Sequence, residues 1–473
     1  MKVAIVVSCV LAAGCAVGPN YRRPSVNAPG NFRGTASQQN SIADLPWWEI
    51  FKDDTLKQLV TTALSNNYDV VAAAARVEQA RQAARQAQSE YFPRVNYSSV
   101  LTYGHNQFLN SPVSPSPGAQ GFLLGIVSAT WEADVWGRIR RLNEAARAEY
   151  LATDEARRGV MLSLASDVSQ AYFELLGLRL QLEIARESAQ SSTTIFNLFT
   201  ERFQGGLGNA LQTSRAAADL ATAAARIPEL QRLIAIKENQ ISVLVGQNPG
   251  AVPTKVALLD EVVPLDVPAG LPSALLERRP DVRAAAQSVR VANAQVGVTQ
   301  SAFLPAIGLT TFFGKLSTPL SELTNSNTNA WSFGPRAAGP IFHAGGLKAR
   351  KKQAIANWEQ VTAQYQQTAL IAFRDVSDAL ISRENFDAIR GQLIRSVQAN
   401  QEAVRLANMR YLEGLSSYIE VLEALQRLYP AQLALAQTEV NRRLVVLQLY
   451  KALGGGWNLS NDEFVTGVPG NQP

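Results

Sequence analysis

The sequence predicts an α+β membrane protein that is internally duplicated, with a pair of β-strands and long helices in each half. Three observations lead to this fold class. One long sequence pattern occurs twice. The strand-like segments alternate between apolar and polar residues and carry aromatic side chains. The helical segments run for tens of residues without a proline.

The duplication is visible as two sets of matching motifs. The segment from Asp69 to Pro93 returns as the segment from Asp281 to Pro305, at an offset of 212 residues. Asp167-Val168-Ser169 returns as Asp375-Val376-Ser377 at an offset of 208, and Gly206-Leu207 returns as Gly414-Leu415 at the same offset. Solenoid repeats have periods of roughly 20 to 50 residues. The spacing here therefore indicates one large unit that is present twice.

The N-terminus is typical of an export signal. Lys2 supplies the positive start, and an apolar core follows from Val3 to Ala13. This core is too short to span a bilayer. The segment Leu11–Cys15 is similar to a bacterial lipobox, so we interpret Cys15 as the acylated N-terminus of the mature chain. Ordinary signal cleavage near Ala13, with Cys15 left as a free thiol, is the alternative.

Four segments alternate with the period of a β-strand. In the first half these are Val95–Tyr103 and Val127–Val135, and in the second half Ile307–Phe313 and Trp331–Gly334. Weak alternation with aromatic side chains near the strand ends favours a transmembrane β-barrel. A water-soluble hairpin is the alternative. Four strands are too few to close a barrel, and open sheet edges are not tolerated in lipid, so several chains must combine their strands.

Each strand pair is followed by a very long helical segment. Residues 137–203 and 346–413 contain no proline, and each could form a helix about 100 Å long. The apolar positions from Leu164 to Leu182 follow a coiled-coil spacing. Both segments end at a glycine-containing turn, and shorter helices return over about 210–245 and 418–453.

The export signal, the two repeats and the segments between them divide the chain into six predicted consecutive segments. They are a lipoprotein signal peptide (1–14), an N-terminal anchor and equatorial segment (15–53), a first structural repeat (54–247), an equatorial linker (248–272), a second structural repeat (273–454) and a C-terminal tail (455–473).

Composition argues against an enzyme and against a nucleic-acid partner. The two histidines, His105 and His343, have no acidic or cysteine neighbours at metal-ligand spacing, and no phosphate-binding loop is present. The formal net charge of +5 is modest for 473 residues, so we infer no nucleic-acid binding from it.

Several motifs, in order, resemble one family. They are Gly18–Pro24, Trp136–Arg140, Leu275–Val282, Pro340–Gly345 and Leu449–Trp457. On the basis of these motifs, the chain resembles the outer-membrane factor family, the TolC-like channels of tripartite efflux pumps. Within that family it is similar to the OprM/NodT-type efflux lipoproteins.

The resemblance implies a homotrimer in the outer membrane of a Gram-negative bacterium. Each copy would give four strands to a 12-stranded β-barrel and long helices to a periplasmic α-helical barrel. Such a channel exports drugs or other small toxic compounds. It works together with a periplasmic adaptor protein and an inner-membrane pump, for which the resemblance implies the RND type. The resemblance implies outer-membrane lipid as a further partner and no cofactor apart from the lipid on Cys15. A duct for type I protein secretion and, in a different class, a soluble periplasmic coiled-coil scaffold are the alternatives.

The resemblance also implies contacts between the adaptor and the two helix tips. The matching positions are Gly206, Leu207, Gly414, Leu415 and Ser416. Glycine at the end of a helix also serves as a C-cap in the left-handed conformation, and that structural role is compatible with adaptor contact.

A periplasmic gate is the second site that the resemblance implies. The family's apolar ring and acidic ring match Ile419 and Glu423, one turn apart on the last long helix. The alternative is a solvated Glu423 that pairs with Arg427, four residues further along the helix.

Overall fold

The structure is a computed structural model that describes residues 16–33, 41–104, 120–254, 257–260, 268–317 and 325–466. Cys15 and His105 lie outside these residues. The chain divides into two compact units. The strand unit comprises the described parts of 1–25, 77–153 and 285–365, and the helix unit comprises those of 26–76, 154–284 and 366–473.

The first half of the chain contains two short helices, a medium helix, two strands and a pair of long helices. In order they are α1 (Trp47–Ile50), α2 (Asp54–Asn66), α3 (Tyr68–Ser89), β1 (Arg94–Gly104), β2 (Gln120–Ala133), α4 (Arg138–Gln204) and α5 (Ala210–Leu244).

The second half repeats this arrangement after a short helix. Its elements are α6 (Leu275–Arg278), α7 (Pro280–Ser301), β3 (Ala306–Ser317), β4 (Asn329–Ala338), α8 (Gly346–Leu412), α9 (Tyr418–Ala452) and the terminal helix α10 (Asn461–Thr466). The equivalent helices have equal lengths: α3 and α7 contain 22 residues each, α4 and α8 contain 67, and α5 and α9 contain 35. The predicted duplication is confirmed.

The four strands form one antiparallel sheet in the order β1-β2-β3-β4. Val95 pairs with Ala129, Leu123 with Ser317, and Leu309 with Pro335. Apolar side chains on these strands are exposed in the single chain, including Tyr97, Phe313 and Trp331. This exposure is what a strand needs if its apolar side chains face lipid.

All four strands are longer than the segments predicted from the sequence. β2 begins at Gln120, seven residues before the predicted start at Val127, and β4 continues through Pro335 to Ala338. Pro335 pairs with Leu309 of β3, and β4 is the last strand of the sheet within the single chain.

The predicted coiled-coil seam of α4 forms the core of the helix unit. Val168, Tyr172 and Leu175 are fully buried, and the Tyr172 hydroxyl donates a hydrogen bond to Asp53 ahead of α2. Gly177 on the same helix allows α9 to approach, because a Cβ atom there would lie 2.3 Å from Val440. Within the described part of the chain, no helix is both long and apolar enough to cross a membrane.

Candidate functional site

Both long helices end in the same hydrogen-bonded turn. At the end of α4, the Leu207 amide donates to the Arg202 carbonyl at 2.8 Å, and the Gly206 amide donates to the Phe203 carbonyl at 3.1 Å. At the end of α8, Leu415 and Gly414 donate in the same way to Arg410 and Tyr411, at 2.9 and 3.1 Å. This is the Schellman arrangement, and it needs a left-handed residue at the position of each glycine.

The backbone angles fit this role. Gly206 has a φ of 75° and Gly414 a φ of 72°. The expected C-capping role of these glycines is therefore confirmed. The turns expose Leu207 and Leu415, with 86% and 64% of their surfaces accessible, while Ser416 is half-buried with no hydrogen-bond partner for its hydroxyl among the described residues.

An aromatic cluster lies behind the tips and connects the long helices. Phe199 on α4 packs edge-on against Tyr418 at 4.5 Å between ring centroids, and Tyr411 on α8 lies 5.5 Å from Tyr418. Arg202 donates a hydrogen bond of 2.6 Å to the Tyr411 hydroxyl. Burial raises the pKa of Tyr418, and the carboxylate of Asp219 adds to this effect. The phenol therefore stays neutral at physiological pH.

The predicted gate residues lie on the exposed face of α9, next to this cluster. Ile419 has 51% of its surface accessible, and Glu423 is exposed one turn further along. The opposite face of the same turns contains Val421 and Ala424, which are buried. Neither Glu423 nor Arg427 forms an ion pair among the described residues, so the alternative pairing is not formed in the single chain.

A buried charged cluster that the sequence did not indicate holds the other end of α9. We call it the Glu439 cluster: Glu439, Arg390, Arg442 and Arg443. The Glu439 carboxylate binds Arg390 and also accepts from Arg442 at 3.2 Å and Arg443 at 3.1 Å. Burial alone would raise the pKa of Glu439, but the hydrogen bond and charge of Arg390, with the other two arginines, hold it below its ordinary value. The cluster thus ties α8 to α9.

The residues that follow Cys15 are fixed in the strand unit. The Val17 amide donates to the Trp136 carbonyl at 2.9 Å, between β2 and α4. Arg141 is buried and donates to the Gly18 carbonyl at 3.2 Å and to the Asn20 side chain at 2.8 Å. The first described residues therefore lie beside the end of β2. This placement suits a lipid anchor, although Cys15 itself lies outside the described residues.

Among the described residues, no group of three or more histidine, cysteine, aspartate or glutamate side chains is placed to hold a metal ion. His343 is exposed in the turn before α8, where its carbonyl accepts from the Gly346 amide at 2.8 Å.

Comparison with known proteins identifies the family. The sequence profile of the family described as "Outer membrane efflux protein" matches residues 59–247 and 271–455, one match for each half of the duplication. The chain belongs to the outer membrane efflux protein family. Proteins of this family are channels and not enzymes, and they need no cofactor.

Two curated relatives match nearly the whole chain. The antibiotic efflux pump outer membrane protein ArpC of Pseudomonas putida is 32% identical over 464 residues, which cover 96% of this chain and 95% of the relative. The probable outer membrane lipoprotein SilC of Salmonella typhimurium is 31% identical over 463 residues, which cover 97% of this chain and 99% of the relative. The channel is an outer-membrane protein.

The fold matches that of a solved outer-membrane channel. OprN is 30% identical to this chain and superposes with a TM-score of 0.86 over 94% of this chain and 100% of OprN. The predicted fold class is thereby confirmed: the channel is a trimer, to which each copy gives four strands of a shared β-barrel and long helices of an α-helical barrel. Its relatives are the outer-membrane components of tripartite efflux pumps.

Proposed function

We propose that this channel is the exit duct for drugs and other small toxic organic compounds in a tripartite pump. Its similarity to the antibiotic efflux protein ArpC over almost the whole length supports this class of substrate. A periplasmic adaptor would connect the channel to an inner-membrane pump of the RND type, which would supply the energy.

The exposed leucines of the helix tips support docking to the adaptor. Leu207 and Leu415 present apolar side chains at the ends of the longest helices, and the Schellman turns fix the backbone behind them. Apolar side chains on rigid turns lose little conformational entropy when they bind a partner. The tip residues Gly206, Leu207, Gly414, Leu415 and Ser416 would therefore form the contact surface.

The docking proposal is tested with one charged substitution at each tip. Leu207→Arg and Leu415→Arg should each reduce cross-linking to the adaptor in cells, while trimers remain resistant to dissociation by detergent. Leu259→Arg is the matched control, because Leu259 is 60% exposed in the helix unit away from the tips. Unchanged cross-linking in both tip variants would remove the tips from the interface.

A gate at Ile419 and Glu423 is the second part of the proposal. The two side chains are exposed on one face of α9 and lack partners among the described residues, so three copies could place them around a common axis. Apolar side chains would narrow the pore and exclude water, and three carboxylates would attract cations.

Acylation of Cys15 is the third part. The fixed position of Val17 beside the strand ends supports an anchor at the membrane surface. Cells fed radiolabelled palmitate should label the wild-type protein and not the Cys15→Ser variant. Label that persists in the variant would refute this assignment.

Susceptibility of a deletion strain tests the substrate class. We expect loss of the channel to lower the inhibitory concentrations of several antibiotics and solvents, and we expect the wild-type gene to restore them. If the strain instead becomes sensitive only to metal cations, or only fails to secrete a protein, the proposed substrate class is wrong.

A further inference from the structure

The strand unit contains an arginine-lined groove beside the ends of the strands. Its volume is about 710 Å³, and its lining includes five arginines and a single carboxylate, that of Glu144. The arginines come from three helices: Arg81 and Arg85 from α3, Arg140 and Arg147 from α4, and Arg290 from α7. We call this feature the arginine groove.

Three of the five arginines have partners within the strand unit. Arg140 binds Asp134 at 3.0 Å, Arg81 binds Glu78 at 2.9 Å, and Arg290 contacts Glu144 at 3.3 Å. Glu144 is shared, because it also accepts from the buried Arg141 at 2.8 Å. Counting these partners, six arginines face three carboxylates, so a surplus of three positive charges remains.

The surplus is concentrated on Arg85 and Arg147. Both line the groove and are exposed, and neither forms an ion pair with any described residue. Two guanidinium groups beside further arginines repel one another, and an anion between them would relieve that repulsion. Guanidinium groups bind phosphate with paired hydrogen bonds, so a phosphate group is the anion that suits this groove.

The position of the groove indicates where the phosphate comes from. Tyr91 lines it three residues before β1 begins, and the Trp131 indole donates to the Tyr91 carbonyl at 2.9 Å. Trp136 follows β2 and donates to the Pro305 carbonyl at 2.8 Å. Tryptophan and tyrosine at the ends of membrane strands lie at the level of the lipid headgroups.

A second basic segment lies at the same end of the sheet. Helix α8 begins eight residues after β4 ends, and its first turns contain Lys348, Arg350, Lys351 and Lys352. Basic segments next to a membrane bind anionic lipid. The first acidic residue of α8 is Glu359. If the start of α8 in a neighbouring copy lay near the groove, it would therefore add positive charge and would not neutralise the arginines.

We propose that the arginine groove binds the phosphate headgroup of an anionic phospholipid at the end of the barrel where the helices begin. Arg85 and Arg147 hold the phosphate, and Tyr91 lies beside it. This inference goes beyond export, because it assigns the channel a specific lipid site in addition to the covalent lipid expected on Cys15.

The test measures lipid binding to purified, delipidated trimers in mixed micelles. The probes are dioleoylphosphatidylglycerol, the zwitterionic dioleoylphosphatidylcholine and inorganic phosphate. We expect wild-type trimers to prefer phosphatidylglycerol, and we expect Arg85→Gln/Arg147→Gln to weaken that binding about 30-fold. The control is Arg215→Gln/Arg395→Gln, which removes two exposed arginines of the helix unit that have no ion pair among the described residues. This control should bind as the wild type does.

Three results would overturn the proposal. Equal binding of the two lipids to wild-type trimers would do so even if the double variant failed to assemble. Unchanged phosphatidylglycerol binding by assembled Arg85→Gln/Arg147→Gln trimers would exclude the two arginines. Equal affinity for inorganic phosphate and for phosphatidylglycerol would show that the groove takes a soluble anion and not a lipid.

Discussion

Replacing Glu439 by glutamine should destabilise the channel far more than removing an exposed carboxylate of the same chemistry. Glu439 has 3% of its surface accessible and Arg443 has 2%. Glutamine keeps the shape of the side chain but removes the counter-charge of Arg390 and of the buried Arg443, whereas Arg442 keeps its ion pair with Asp387 at 2.7 Å. Breaking a buried ion pair from one side costs about 3 to 5 kcal/mol.

The lower end of this range applies here. Arg443 keeps its hydrogen bonds to the carbonyls of Glu439 and Leu258 when the carboxylate is lost. With an unfolding entropy of about 2.1 cal/mol/K for each of the 473 residues, a loss of about 3 kcal/mol per chain lowers the Tm by about 3 °C. Circular dichroism of purified trimers in detergent, at a fixed heating rate, measures this change.

The pH dependence provides an independent check. The folded state holds the pKa of Glu439 below its ordinary value, so its ionised form stabilises the fold. That contribution is present above the unfolded pKa of about 4.3 and is lost as the pH falls through the folded value. The difference in Tm between wild type and Glu439→Gln should therefore be largest near neutral pH and should shrink in acid.

The matched control for this experiment is Glu402→Gln. Glu402 pairs with Arg405 at 2.6 Å, but both side chains are more than half exposed, so we expect no measurable change in Tm. If Glu439→Gln melts with the wild type, or if Glu402→Gln shows the same loss, the reasoning from burial is wrong.

Three further predictions concern glycines and the gate. Gly177→Ala should lower the Tm, because α9 approaches this position closely. Gly391→Ala has open space around its Cβ position and should raise the Tm by an amount equivalent to about 1 kcal/mol. Equal effects of the two substitutions would contradict the packing argument. Gly414→Ala should cost about 1 to 2 kcal/mol because the residue has a φ of 72°, and hydrogen exchange at the end of α8 should become faster; unchanged exchange would count against the capping role. Ile419→Ala combined with Glu423→Gln should raise single-channel conductance in planar bilayers, and an unchanged conductance would remove both residues from the gate.

The helices could be predicted from the sequence because their signals are local. Stretches without proline, followed by glycine turns, gave the ends of α4 and α8 to within a few residues. The repeated motifs then fixed the equivalence of the two halves. The strand ends were harder to predict, because Pro335 breaks the alternation of β4 and because the sequence just before Gln120 is rich in proline and serine.

The Glu439 cluster and the arginine groove could not be predicted in the same way. Arg390 lies 49 residues from Glu439, and only the packing of α8 against α9 brings them together. The local sign in the sequence was Glu439 followed three and four residues later by Arg442 and Arg443, one helical turn away. The groove draws on three helices separated by as many as 209 positions, from Arg81 to Arg290, so no sequence window contains it.

The two helix tips share a backbone but differ in chemistry. After the glycine and leucine, the first tip continues with Gly208-Asn209, where the Asn209 side chain caps α5 by accepting from the Gln212 amide at 2.9 Å. The second continues with Ser416-Ser417, and the Ser417 side chain makes no such capping bond. A ring of identical subunits that docks on this trimer therefore meets two chemically different tips in alternation. The binding free energy is shared between the two kinds of tip, so a substitution in one tip of this chain weakens only every other contact.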